Sequence, residues 1–234
     1  MEPLDIIRID FQPIIDLTTS RPHAFEALAR PIDSTGKSID TESFIKIAES
    51  MGNIDQVFKV VLDQVCCAIK SRQDLQKQEF LFSINYSPIS TTPLICVNNF
   101  TDILSEYELS PKLFIIEITE AGDNEFPSNL ADELDTFREL GCSVWLDDFG
   151  QCYSDLVRLL NYNIDGLKID AMLVSNLNNS KKKQVIVESL LNIGSKLNID
   201  IIAEGVEREE EADALKMLGC KYAQGYLFGK PGKI

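Results

Sequence analysis

Five short apolar segments of this chain each carry a side chain able to bind a cation or move a proton. Phe80–Asn85 (FLFSIN) ends in an amide, Leu113–Glu117 (LFIIE) in a carboxylate, and Ser143–Asp148 (SVWLDD) in two carboxylates. Asp165–Asp170 (DGLKID) carries Lys168, and Ile199–Glu204 (IDIIAE) ends in a carboxylate again. With Glu26 and Gln224 added, the polar tips in chain order are Glu26, Asn85, Glu117, Asp147 with Asp148, Lys168, Glu204 and Gln224. Four of the oxygen donors suffice for one Mg²⁺ or Mn²⁺, and Asp147 beside Asp148 can bridge to a second ion. Two such ions would activate a water and stabilise a leaving oxygen, as phosphodiester hydrolysis requires. A lysine among carboxylates stays cationic and can orient the water or offset charge. Structural readings compete with these. A lone carboxylate is more often a helix cap or a solvated charge, and Asp148 could cap the following turn. Lys168, between Leu167 and Ile169, could be a core lysine paired with Asp170.

Each polar tip lies on a different segment, so only tertiary closure can bring them together. Strand side chains alternate faces, which groups Leu81 with Ser83 and Asn85, Ile115 with Glu117, and Trp145 with Asp147. Phe11–Ile15 and Ala24–Arg30 are extended, and the polar turn between them is too short for a crossover helix, so they pair antiparallel. Helices are predicted over Thr41–Met51, with Asp40 as N-cap and Gly52 ending it, and over Asp55–Ser71, with Phe58, Leu62, Val65 and Ile69 on one stripe. Further helices are expected near Phe100–Tyr107, at Leu130–Leu140 closed by Gly141, around Tyr153–Leu160, and at Lys182–Leu197. The last, Glu207–Leu218, starts acidic and stops at Gly219. With a final strand at Cys220–Gly225 the tally is eight strands, seven roughly parallel. The expectation is an α/β fold, a (β/α)8 barrel closed within a single domain, residues 1–234. An open doubly wound sheet is the runner-up, disfavoured because no Gly-rich phosphate loop follows the first strand.

Composition narrows the chemistry. There are 22 Lys and Arg against 37 Asp and Glu, a net charge of −15, which argues against wrapping DNA or RNA or binding an anionic membrane surface. One histidine, His23, and six cysteines without zinc spacing exclude a His-based zinc site and leave oxygen-ligated hard cations. The scattered cysteines fit a reducing cytoplasm. No signal peptide and no apolar run of transmembrane length is visible. His23 is expected solvated in a turn, Trp145 to fill the core, and Cys66–Cys67 to pack on a helix.

At the polar tips the chain resembles the EAL family of cyclic di-GMP phosphodiesterases. The matching motifs are Gln12-Pro13-Ile14, Glu26-Ala27-Leu28, Asn85, Glu117-Ile118-Thr119-Glu120, Asp147-Asp148-Phe149-Gly150, Leu167-Lys168-Ile169-Asp170, Ala203-Glu204-Gly205-Val206-Glu207 and Gln224-Gly225-Tyr226. They run in family order over nearly the whole chain. The resemblance implies a modified TIM barrel with its first strand antiparallel, and metal-dependent opening of cyclic di-GMP to linear pGpG. By the same resemblance Glu26, Asn85, Glu117 and Asp147 are ligands of one ion, and Asp147 with Asp148 serve a second. Glu204 and Lys168 are the water-activating group and its partner. Gln12, Leu28, Arg30 and Gln224 are substrate-binding, with the Arg30 guanidinium suited to a phosphate. Glu120 and Glu207 support the loops of the metal site. A homodimer is implied as well.

The chain departs from the family pattern in the loop Gln151-Cys152-Tyr153-Ser154-Asp155, at Pro31, and at Lys230, where an arginine is usual. None of these removes a metal ligand; they bear on loop closure, its coupling to dimerisation, and turnover. A catalytically silent receptor for the dinucleotide, or a protein-interaction module, is the alternative. The chain shows no attached sensory or cyclase domain, which reads as a stand-alone enzyme or a piece of a longer chain whose regulatory domain or partner lies elsewhere.

Overall fold

The computed structural model describes residues 7–72, 75, 80–89, 94–118, 127–150 and 155–234. Eight strands close into a barrel in sequence order. They are β1 (Ile7–Asp16), β2 (Arg21–Pro31), β3 (Leu81–Tyr86), β4 (Phe114–Ile118), β5 (Ser143–Phe149), β6 (Gly166–Ile169), β7 (Asp200–Ala203) and β8 (Tyr222–Gln224). β1 runs antiparallel to both β2 and β8, and every other neighbouring pair is parallel. The first strand of the predicted hairpin is therefore the reversed stave of an otherwise parallel barrel. The helices are α1 (Thr41–Ser50), α2 (Ile54–Ser71), α3 (Ile95–Tyr107), α4 (Leu130–Leu140), α5 (Asp155–Asn161), α6 (Ala171–Val174), α7 (Lys181–Leu197) and α8 (Glu209–Leu218). Among the described residues no helix is long and apolar enough to cross a membrane.

Local chemistry explains most boundaries. Asp40 caps α1 by accepting from Ser43 N, as its type and position predict. Gly141 and Gly219 close α4 and α8 in the left-handed conformation. α3 begins five residues earlier than predicted, after Leu94 in a left-handed conformation that no propensity rule anticipates for leucine. The short α6 lies within a stretch read from sequence as loop; Asp170 caps it by accepting from Met172 N.

Two apolar layers hold the barrel. Outward-facing residues such as Phe82, Ile84, Phe114, Ile116, Val144, Leu167 and Ala203 share one buried cluster with Phe58, Leu62, Val65 and Ile69 of α2 and Phe137 of α4. Burying each large side chain contributes about 1.5–3 kcal/mol. A smaller cluster fills the interior: Ile14, Ala24, Ile115, Trp145, Ile202 and Tyr222, with Leu81 against it. Gly166 of β6 adds nothing to this layer because the Trp145 ring takes its space; a Cβ there would lie 2.4 Å from the indole. His23 is not in a turn: it lies in β2, its ring stacked on Tyr222 with centroids 4.2 Å apart. The strand pattern continues through Pro22, which is paired with Ile15 across the hairpin.

Candidate active site

Side-chain alternation turns the interior apolar layer into a map of the site. Two residues further toward the mouth on each strand stand Gln12, Glu26, Ser83, Glu117, Asp147, Lys168, Glu204 and Gln224, above Ile14, Ala24, Leu81, Ile115, Trp145, Gly166, Ile202 and Tyr222. On β3 the same face goes one step higher, to Asn85, which is paired in register with Glu117. Because β1 is reversed, Gln12 precedes Ile14 yet still points to the mouth, and it pairs with Glu26 across the hairpin.

Lys168 Nζ is the centre of the arrangement. It lies 2.8 Å from Glu204 Oε1, 3.1 Å from Glu117 Oε2, 3.2 Å from Asp147 Oδ1 and 3.4 Å from Glu26 Oε2. The carboxylates come from β2, β4, β5 and the end of β7, and the lysine side chain is 1% exposed. Pairing with Asp170, the alternative drawn from the sequence, is not what the lysine does; these four acids surround it. Four carboxylates against one ammonium leave an excess of three negative charges if all are ionised. A dry protein interior does not hold such an excess; it takes up protons or further cations instead.

The pKa values record that excess. Burial pushes Glu117 up to about 8, with Lys168 opposing and the charges of Glu26 and Asp147 adding to it. Burial likewise raises Asp147 and lifts Glu204 well above the usual carboxylate range. Glu26 is the exception. Burial works against its charged form, but the Lys168 ammonium and hydrogen bonds from Gln224, Asn85 and Lys168 outweigh it, and its carboxyl stays below the ordinary value. Lys168 is held well above the ordinary lysine value: burial disfavours its charge, and the four carboxylates more than restore it.

The donor set fits divalent cations. Glu26, Glu117 and Asp147 each place a carboxylate oxygen within 4.8 Å of the others, and so do Asp147, Asp148 and Glu204. Asp147 belongs to both groups, the arrangement expected of a bridging ligand. Asn85 Nδ2 donates to Glu26 Oε1 at 3.4 Å, which leaves its carbonyl oxygen for a cation. Glu117 Oε1 is buried without a hydrogen-bond partner, an orphaned acceptor of the kind that a bound ion satisfies. All ligands are oxygens and no histidine takes part, so the set suits Mg²⁺ or Mn²⁺ rather than a softer metal.

A bulge makes room for two adjacent acids. Leu146 pairs with Leu167 and Phe149 with Ile169, so Asp147 and Asp148 together face the single residue Lys168. Strict alternation would turn Asp148 away from the mouth; the bulge and its left-handed φ of 56° bring it back beside Asp147. Its backbone N–H donates to Asp147 Oδ1 at 3.0 Å. A non-glycine residue held this way costs about 1–3 kcal/mol, a strain that sites of function commonly carry.

Two cavities flank the acids, and Glu26 lines both. One, of about 340 Å³, lies between β2 and helices α1 and α2, and is bordered by Leu28, Arg30, Asn85, Asp147 and apolar residues including Ile45 and Phe58. Arg30 is held at its rim by Asp10, Nε to Oδ2 at 3.2 Å. The other, of about 330 Å³, is bordered by Gln12, Glu204, Glu207, Gln224 and Tyr226. Lys230 Nζ sits 5.4 Å from the Tyr226 ring centroid. Glu207 is exposed at the edge of this cavity, and its backbone N–H is held by Glu211 Oε2 at 3.1 Å. Glu120, expected to support the metal loops, and Gln151–Ser154 lie outside the described residues. Reading the sequence assigned no role to Ser83, fully buried below Asn85, although its strand parity placed it on this face.

Comparison with known proteins agrees with this geometry. The family model described as EAL domain matches residues 5–231. The oxygen sensor protein DosP of Escherichia coli is 27% identical over 96% of this chain and 28% of its own length. The cyclic di-GMP phosphodiesterase NbdA of Pseudomonas aeruginosa is 29% identical over 97% of the chain and 29% of its own. The chain thus spans less than a third of the length of either relative. Among solved structures, the PaMucR phosphodiesterase in complex with c-di-GMP superposes with a TM-score of 0.85 at 28% identity, covering 97% of this chain and 92% of that one. The manganese and cyclic di-GMP complex of Klebsiella pneumoniae BlrP1 superposes with a TM-score of 0.81 at 32% identity, covering 98% and 57%. This chain belongs to the EAL domain family.

Proposed function

We propose that the domain hydrolyses cyclic di-GMP to linear pGpG with the help of two divalent ions, Mg²⁺ or Mn²⁺. The observation that carries this reading is the pair of overlapping oxygen-ligand groups around Lys168, which share Asp147. Glu26, Asn85, Glu117 and Asp147 would hold one ion, and Asp147 with Asp148 the other. Bound there, the ions would supply an acidified water and offset the charge of the phosphodiester. Glu204, grouped with Asp147 and Asp148 at the end of β7, would accept the proton from that water. Lys168, 2.8 Å from Glu204, holds that carboxylate in place and balances its charge. The two cavities on either side of Glu26 would receive the two halves of the dinucleotide. Leu28 and the Arg30 guanidinium stand at one, and Gln224 at the other. Glu120 and Glu207 would steady the loops of the site.

The protein acts as a homodimer in this reading. Leu156, Val157 and Leu160 of α5 are 60%, 55% and 85% exposed, and Met172 of the nearby α6 is 56% exposed. Apolar side chains so exposed on consecutive helices mark a surface that a second copy would cover. The five described cysteines are free thiols, in keeping with a reducing cytoplasm.

The test is hydrolysis of cyclic di-GMP by the pure protein with Mg²⁺ or Mn²⁺, followed by chromatography of the products. Linear pGpG is expected, and Glu26→Gln should lower the rate at least about a hundredfold, since it removes a ligand rather than its support. Binding of the dinucleotide without product under either metal would make the domain a receptor. A Glu26→Gln variant with full turnover would refute the site.

A further inference from the structure

We infer that Gln12 is a positioning residue, whose carboxamide carries a fixed orientation from the backbone of the C-terminal segment through Gln224 to Glu26. Gln12 Nε2 donates to Gly229 O at 3.1 Å. Gln224 Nε2 donates to Gln12 Oε1 at 3.2 Å and to Glu26 Oε2 at 2.5 Å. Gln12 is 8% exposed and Gln224 4%, so both amides are largely withdrawn from solvent.

The logic lies in what each group is able to do. A carbonyl oxygen only accepts, so Gly229 fixes which end of the Gln12 amide faces it. That choice leaves Gln12 Oε1, another acceptor, toward Gln224, which must then present its nitrogen. Both protons of Gln224 Nε2 are thereby committed, one to Gln12 and one to Glu26. A flipped Gln224 would set its carbonyl against both Gln12 Oε1 and the Glu26 carboxylate, three acceptors with no proton between them. The same choice leaves Gln224 Oε1 as a buried acceptor without a partner in the protein.

Topology makes the relay possible. β1 is the stave between β2 and β8: Gln12 pairs with Glu26 on one side, and Ile14 with Gln224 on the other. The segment carrying Gly229 is pinned to β1 independently, by Phe11 N to Gly232 O at 2.7 Å and Gly232 N to Phe11 O at 3.1 Å. Gly229 itself is packed so closely that a Cβ would lie 2.9 Å from Pro13 Cγ. The carbonyl at the head of the relay therefore has little freedom to turn. With both ends of its amide engaged by protein, Gln12 orients a ligand instead of reaching for substrate.

This inference rests on Glu26 being an ion ligand, and the experiment separates the two ideas. Mn²⁺ alone, without nucleotide, is titrated into the protein and followed by electron paramagnetic resonance. The variants are Glu26→Gln, Gln12→Leu, Gln224→Leu and the double Gln12→Leu/Gln224→Leu, with melting in EDTA as the measure of folding. Gln12→Leu is expected to weaken Mn²⁺ binding about tenfold or more, as loss of an outer partner of a ligand does. The double variant is expected to bind no more weakly than Gln224→Leu alone, because the two act through one chain. Should Gln12→Leu not fold, Gln12→Met carries the same comparison. Wild-type Mn²⁺ binding that Glu26→Gln abolishes but the Gln12 variants leave intact overturns the relay. An intact Mn²⁺ affinity with a raised KM for the dinucleotide would assign Gln12 to substrate and likewise overturn it. Wild-type binding indifferent to Glu26→Gln would instead remove the metal-site reading itself.

Discussion

Replacing Lys168 by methionine keeps the stem and deletes the ammonium that Glu26, Glu117, Asp147 and Glu204 share within 3.4 Å. Removing one side of a buried ion pair costs about 3–5 kcal/mol. For a domain of this size each kcal/mol moves Tm by roughly 2–4 °C, so the variant should melt roughly 6–20 °C below wild type in EDTA. The lower figure is favoured, because the acids can take up protons. Glu117 titrates near 8 and Glu204 well above its ordinary value even with the lysine present, against 4.5 for an unperturbed glutamate. Groups whose folded pKa is raised bind more protons folded than unfolded, so their contribution to stability falls as pH rises through that window. The deficit of Lys168→Met should therefore be small at pH 5 and largest above pH 8. Mn²⁺ should act in the opposite sense. With no ammonium opposing it, the ion binds the variant more tightly, and a tenfold gain adds about 1.4 kcal/mol of stabilisation at saturating metal, roughly 3–6 °C. Differential scanning fluorimetry with and without Mn²⁺, at pH 5 and pH 8.5, measures all of this. An EDTA melting point within about 2 °C of wild type at pH 8.5, together with an unchanged Mn²⁺ shift, would refute the electrostatic account of the cage.

Two further outcomes follow from the structure. Burial beside Tyr222 holds His23 below its ordinary pKa of 6.5, so the unfolded chain protonates first as pH falls and stability declines below about 6.5; His23→Phe keeps the stack, and urea titrations between pH 7 and pH 5 should show that part of the slope gone. Leu160, 85% exposed on α5, should be central to the proposed dimer surface; Leu160→Glu is expected to give a monomer by light scattering that still melts cooperatively in EDTA, and an unchanged mass would place the contact elsewhere.

Reading the strands was enough to gather the candidate acids on one face because a two-residue period is a hard geometric rule. Once Ile115 and Trp145 face the interior, Glu117 and Asp147 must follow at the mouth. The hairpin was legible for a similar reason: a turn of a few residues between Ile15 and Ala24 allows only an antiparallel return. What the period does not encode is a departure from it. The bulge at Asp147–Asp148 is set by pairing with β6, a long-range fact, and two successive aspartates do not announce which faces they will take. Gln12 shows a different limit. Its bonds to Gly229 and Gln224 join residues more than 200 positions apart, and an amide contains no local sign of which end will donate. His23 was misplaced because a histidine beside a proline resembles a turn, whereas its stack on Tyr222 is visible only after the barrel closes.

Trp145 is the single tryptophan of the chain, and it sits 2% exposed beneath the acid cage, two positions from Asp147. The protein therefore carries an unlabelled optical probe at the floor of the acid cage. The indole sits where the field of any arriving cation would be felt, so intrinsic emission can register ion loading directly. It can do so on the millisecond scale of a stopped-flow instrument, with no dye and no chemically modified nucleotide.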